Sequence, residues 1–173
     1  MDNLGFIHEK LDIKILILFI LRRLPGAVDP DTLAELTFCD DGINYFDYAE
    51  CLSELVDTGH VEHTEHSYKI TEKGDRNGGT IESSIPYSVR KKAEKKVAQV
   101  AAAMRRNSMI KTHHSISPEG ACTVELGLSD DYGQIISIQA LVSGEEQAQC
   151  MEENFREKAE QLYGQIVELI SEK

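Results

Sequence analysis

Hydrophobic residues recur along this chain in two periods, and the alternation between them marks out its elements. A first helix is predicted from about Leu11 to Leu24, with an unbroken apolar run over Ile15–Leu21 between Lys14 and Arg22-Arg23, and it stops at Pro25-Gly26. A helix apolar all round is one buried on two sides. "DPDTLAELTF" then turns Leu33, Leu36 and Phe38 inward, which predicts a short helix over 30–37 with Asp29 or Asp31 as its cap. After the turn "CDDGI", residues Tyr45, Tyr48, Ala49, Leu52, Leu55 and Val56 recur at spacings of three and four. This predicts a third helix over 45–58, with Asn44 as N-cap, Asp47 completing a variant capping box, and Gly59 as the stop. The period then changes to two. "HVEHTE" and "SYKIT" read as short strands around a turn at Glu65-His66, with Val61, Tyr68 and Ile70 inward. Thr71 caps one more helical turn, "EKGDR", and "NGG" at 77–79 is expected to interrupt the chain.

Pro86 opens a long helix striped by Val89, Ala93, Val97, Val100 and Met104. Three strand-like runs follow, over about 109–116, 122–129 and 134–143, separated by the turn sequences "SPEG" and "DDYG". A long final helix begins behind Ser143, with Glu146 as the expected capping-box partner. It is lined by Ala148, Met151, Phe155, Ala159, Leu162, Ile166 and Leu169. The expected fold class is α+β. An N-terminal winged helix-turn-helix over 1–80 precedes a helix, a three-stranded antiparallel sheet and a helix over 81–173. A three-helix bundle with an incidental hairpin is the alternative for the first part.

Charge changes the picture in one place. The chain's formal charge is −12, but residues 81–111 carry 2 acidic and 8 basic side chains, between segments that are each net −9. The global value therefore conceals one cationic segment. The four cysteines, Cys39, Cys51, Cys122 and Cys150, form no CxxC pair and read as reduced thiols. With no signal-peptide layout at "MDNLGFIHEK" and no apolar run long enough to span a bilayer, a cytoplasmic protein without a membrane partner is expected.

The run "NYFDYAECLSELVDTGHVEHTEHSYKITEKG", then "IPYSVRKK", then "EEQAQCMEENFREKAEQLYGQIVELI" resembles a small bacterial family over nearly the whole chain. That family is catalogued as a domain of unknown function. It is described as winged-helix and regulator-like, and is common in clostridia and related Gram-positive bacteria. The resemblance implies a transcriptional regulator and supplies no ligand, operator or catalytic residue. "RNGG" at 76–79 departs from the continuous helix the family would have, and the third helix departs in its acidity.

Between Asp29 and Asp57 the chain has nine acidic residues and no basic one. A carboxylate about 6 Å from a phosphate costs roughly 0.7 kcal/mol in water before screening. The third helix cannot therefore be the source of DNA affinity, which comes largely from Lys and Arg on phosphates. The backbone-contact candidates lie elsewhere: Lys69, Lys73 and Arg76 on or after the hairpin, and Arg90, Lys91, Lys92, Lys95 and Lys96 on the next helix, expected beside the wing. Base reading falls to Asn44, Tyr45 and Tyr48. Asn44 reads more simply as an N-cap and Tyr48 more simply as core, while "RKKAEKK" reads equally as a solvated helix face. The expected partners are duplex DNA and a second copy of the chain. The homodimer follows from apolar surface on three helices that calls for a partner or a shared core. The competing reading is a winged-helix protein-interaction module without DNA affinity.

Three histidines, His60, His63 and His66, repeat through the hairpin, but strand geometry scatters them over two faces. No metal site is expected, and the adjacent His113 and His114 fall on opposite faces likewise. There is no GxSxG, HExxH, Walker loop or GxGxxG, so neither an enzyme nor a cofactor is expected.

Overall fold

In a computed structural model, which describes Ile7 and residues 9–171, the chain is mixed α and β. The order is α1 (Lys10–Leu21), α2 (Pro30–Thr37), α3 (Tyr45–Asp57), β1 (Val61–Thr64), β2 (Ser67–Ile70), α4 (Glu72–Ile81), a 3-10 turn (Glu82–Ser84), α5 (Tyr87–Met109), β3 (Ile110–Ile116), β4 (Cys122–Asp130), β5 (Gly133–Val142) and α6 (Glu145–Ser171). It divides into two compact units, Met1–Met104 and Arg105–Lys173.

The first unit is organised around α1, whose residues Ile13 and Ile15 to Leu21 are all buried. It packs against α2, α3 and α4. Val89, Ala93, Val97 and Ala101 of α5 enter the same core. The all-round apolarity of α1 is thus satisfied within one chain, and a second copy is not needed to cover it. The unit runs past the boundary expected at residue 80, because the apolar stripe of α5 completes this core. Asn44 Oδ1 accepts from the Asp47 N–H at 2.9 Å, so the N-cap of α3 forms as expected. Gly59, with φ of 69°, ends that helix.

β1 and β2 pair antiparallel around the 65–66 turn, with Val61 opposite Ile70. Val28 adds a third, single-residue strand, exchanging two hydrogen bonds of 2.9 and 2.8 Å with Tyr68. This bridge has no hydrophobic periodicity and was not foreseen.

The expected interruption at Asn77–Gly79 is a correction: α4 continues through it to Ile81. The glycines serve close packing rather than a break. A Cβ on Gly78 would lie 2.9 Å from Arg22 Cδ and 3.2 Å from Leu18 Cβ, so the small residue lets α4 approach α1. Arg22 then reaches Asp75 at 2.8 Å and Glu82 at 2.7 Å, and Arg23 reaches Glu82 at 3.1 Å.

The second unit is a three-stranded antiparallel meander, in the order β3-β4-β5, with α6 on one face. Its core joins Val124, Leu126 and Leu128 to Ala148, Phe155 and Ala159. Alternation along β3 turns His113 outward and His114 toward α6, where its Nδ1 lies 3.1 Å from Glu152. The α6 cap differs from the expected Ser143–Glu146 box: Ser143 N–H and Oγ–H both donate to Gln147 Oε1, at 2.8 and 2.7 Å. The helix starts one residue later than expected, which brings position 147 to the third helical place. Arg106 clasps Glu160 through two bonds of 2.7 and 2.8 Å. Among the described residues no helix is long and apolar enough to cross a membrane, and no three His, Cys, Asp or Glu gather as metal ligands.

Candidate nucleic-acid interface

The third helix shows three longitudinal faces. Tyr48, Cys51, Leu52 and Leu55 are buried. Phe46, Glu50, Ser53 and Asp57, spaced by four, three and four, form the exposed crest opposite them. Between these faces lie an edge toward α1 and an edge toward the hairpin.

The edge toward α1 resolves much of the charge problem posed by the sequence. Lys10 Nζ lies 2.6 Å from Glu50 and 3.8 Å from Asp47, and Lys14 pairs with Glu54. The Glu54 carboxyl is held below its usual pKa by Lys14, and the ammonium of Lys10 is held above its own by Glu50. These exposed pairs add little to stability. Their consequence is electrostatic: two lysines of α1 stand against three of the four carboxylates of α3. No sequence argument foresaw this, because the spacing from Lys10 and Lys14 to their partners crosses two other elements.

The sequence-expected base readers fare differently. Tyr45 is exposed on the first turn, and its neighbour Phe46 is the most exposed aromatic of the helix, at 83%. Asn44 is exposed, with both ends of its amide engaged by Asp47. Tyr48 is buried, its ring edge-on to Phe38 at 5.2 Å. It packs in the core and does not present itself on the crest, as its place in the apolar stripe allowed. Phe46 was passed over because it falls outside that stripe, which is the signal that could have found it.

The cations also separate. Lys73 Nζ donates to the Thr58 carbonyl at 2.6 Å, capping the end of α3 where a positive charge is favoured. Lys69 is exposed on β2 opposite Glu62, and Arg76 is exposed on α4. On α5, Lys91, Lys92 and Lys95 are exposed, and Lys91 pairs with its neighbour Glu94 at 3.4 Å and lies 5.7 Å from the Tyr87 ring centre. Arg90 is half-buried, with its guanidinium 5.8 Å from the Tyr87 ring centre. Lys96 donates to the Glu35 carbonyl at 3.4 Å, and the Cys39 thiol, raised by burial, feels the field of Lys96 and Lys92. The block thus lies at the C-terminal end of α2. The hairpin meets the chain just before the other end of α2, through Val28. The contacts that fix Lys96 and the hairpin thus fall toward opposite ends of the eight-residue α2.

The hairpin-side edge of α3 borders a cleft of about 350 Å³, lined by Asp31 and Ala34 of α2, Tyr45, Tyr48, Ala49 and Ser53 of α3, and His63 and Tyr68 of the hairpin. His63 stacks on Tyr68 with centroids 4.4 Å apart. His60 takes a different part. Its Nδ1 and Nε2 lie 2.8 Å from Thr58 Oγ1 and Asn77 Nδ2, tying α3 to α4, and burial followed by Lys73 lowers its pKa.

A model of the family described as a domain of unknown function, DUF4364, matches residues 13–170. No curated protein and no solved structure matches the chain.

Proposed function

The chain belongs to the DUF4364 family, and on that premise and the geometry above we propose that it is a bacterial DNA-binding transcriptional regulator. The first unit acts as a winged helix, with α2 and α3 as its helix-turn-helix and β1–β2 as its wing. The first turn of α3 enters the major groove, presenting Asn44, Tyr45 and Phe46 to base edges and thymine methyls. Asp57, at the far end of the crest, stays away from the groove floor. Lys91, Lys92 and Lys95 hold one flank of the backbone, and Lys69 and Arg76 hold the other. The observation that carries the reading is the outward stance of the α5 cations. Among the described residues no acidic side chain beyond Glu94 pairs with them.

The protein acts as a homodimer in this reading. Support comes from α6, where Tyr163, Val167, Leu169 and Ile170 are exposed near its C-terminal end. A symmetric pair would space two first units for pseudo-palindromic half-sites.

The test is selection of bound duplexes from a random pool at low salt. The native protein is compared with a triple variant, Lys91→Glu, Lys92→Glu and Lys95→Glu, that leaves the structural bond of Lys96 intact. A palindromic motif should be enriched by the native protein and lost in the variant. Each phosphate contact removed should flatten the logarithmic salt dependence by about 0.9. No enrichment by a folded protein overturns the proposal. It would favour the second reading, a protein-interaction module, for which the exposed Phe46 on an acidic crest is the supporting observation.

A further inference from the structure

The cleft between α2, α3 and the hairpin shares Tyr45 with the proposed base-reading turn, but the chemistry of its other walls suits a different ligand. Its walls hold three tyrosines, and Tyr45 and Tyr48 have ring centroids 6.3 Å apart. No lysine or arginine lines it, and its one carboxylate is Asp31, in the first turn of α2. The surrounding segment, Asp29 to Asp57, is wholly without basic residues. Such a wall repels anions. Its aromatic faces carry negative electrostatic potential, to which Asp31 adds a full charge. At about 350 Å³ the cavity has the size of a small-molecule site.

A second observation points to a ligand. The Tyr48 hydroxyl is buried and has no hydrogen-bond partner. Buried polar groups nearly always have one, so an orphan in a cleft wall needs an explanation. Burial first, then Tyr68 and Tyr45, push the ionisation of Tyr48 far above the usual tyrosine range.

We propose that this cleft binds a small organic cation of the alkylammonium class, seated among Tyr45, Tyr48 and Tyr68 with Asp31 as its counter-charge. Aromatic rings and a single carboxylate suit a cation too large and weakly hydrated to be satisfied by water alone. The inference stands on the cleft and requires no DNA.

The test uses the full chain and tetramethylammonium chloride as the probe, with sodium chloride at matched ionic strength as the control. The protein has six tyrosines and no tryptophan, and three of the six line the cleft, so binding is read as a change in tyrosine emission over the background of Tyr87, Tyr132 and Tyr163. Tetramethylammonium should change the emission saturably and sodium should not. Asp31→Asn and Tyr45→Ala should each weaken the half-saturating concentration by about fivefold. Both side chains are exposed, and far-UV circular dichroism checks that each variant folds. Should Tyr45→Ala loosen α3, the isosteric Asp31→Asn decides alone. A non-saturating response equal to that of sodium overturns the proposal. So does saturation that folded Asp31→Asn leaves unchanged, which would place the probe elsewhere.

Discussion

Gly74, three residues after the helix cap Thr71, lies buried in the first turn of α4. Replacing it with alanine sets two effects against each other. Alanine is the better helix former by about 1 kcal/mol. Against this, a Cβ at position 74 would stand 2.1 Å from the His60 carbonyl oxygen and 2.9 Å from Ile70 Cγ1. A carbon and a carbonyl oxygen settle at about 3.3 Å, so backbone must move by about 1 Å. That oxygen accepts from Thr71 N at 3.1 Å and from Thr71 Oγ1 at 3.1 Å, and Thr71 in turn caps α4. Overpacking costs about 1–3 kcal/mol and each weakened hydrogen bond about 1 kcal/mol. The clash wins, and the expected net loss is about 2–4 kcal/mol. Gly79→Ala in the same helix is the control. The atoms nearest its Cβ belong to the Arg22 guanidinium, 2.9 Å away at Nη2, which can shift with its exposed ion-pair partner Asp75 rather than moving backbone. That variant should stay within about 1 kcal/mol of the native protein. Urea unfolding followed by far-UV circular dichroism measures both. If Gly74→Ala proves at least as stable as Gly79→Ala, the reasoning that this glycine is a packing requirement is refuted.

Two other expectations follow from side chains near the candidate interface. His60 titrates below its usual value because burial, then Lys73, disfavours the imidazolium. The unfolded chain takes up this proton near pH 6.5 and the folded chain only at lower pH. Its contribution is thus fully present above about pH 6.5 and is lost as pH falls through the folded value. The urea midpoint should therefore drop on acidification more steeply for the native protein than for His60→Gln, and parallel profiles would sink the assignment. Tyr48→Phe removes a buried hydroxyl without a partner while keeping the ring against Phe38. Its stability in thermal unfolding should be unchanged or higher by about 1 kcal/mol, and a loss beyond about 1 kcal/mol would mean the hydroxyl has a partner after all.

Much of the architecture was legible because it is local. The periods of three to four and of two placed the first three helices, the hairpin and the meander within a few residues, since burial of one face requires those spacings. Asn44 and Thr71 read as caps because a short polar side chain at that position satisfies a nearby N–H. The candidate interface was less legible. Asn44 and Tyr45 stand exposed at the start of α3, whereas Tyr48 shares the stripe that makes it core. Phe46 stands on the crest for the same reason it was overlooked. "NGG" read as a break because glycine and asparagine disfavour helices, yet close approach to α1 outweighs that preference.

The sequence by itself determined the elements, the caps, the cationic segment among acidic neighbours and the absence of familiar catalytic motifs. Each of these is a property of residues within a turn or two of one another. Only the tertiary structure decided which charges cancel and which stand free. Lys10 and Lys14 neutralise carboxylates some forty residues away. α5 closes the core around α1, Val28 joins the hairpin, and three tyrosines from α3 and β2 meet in one cleft. Coulomb attraction, steric fit and aromatic contact act over a few ångströms of space, and the chain brings distant residues to that range only when it folds.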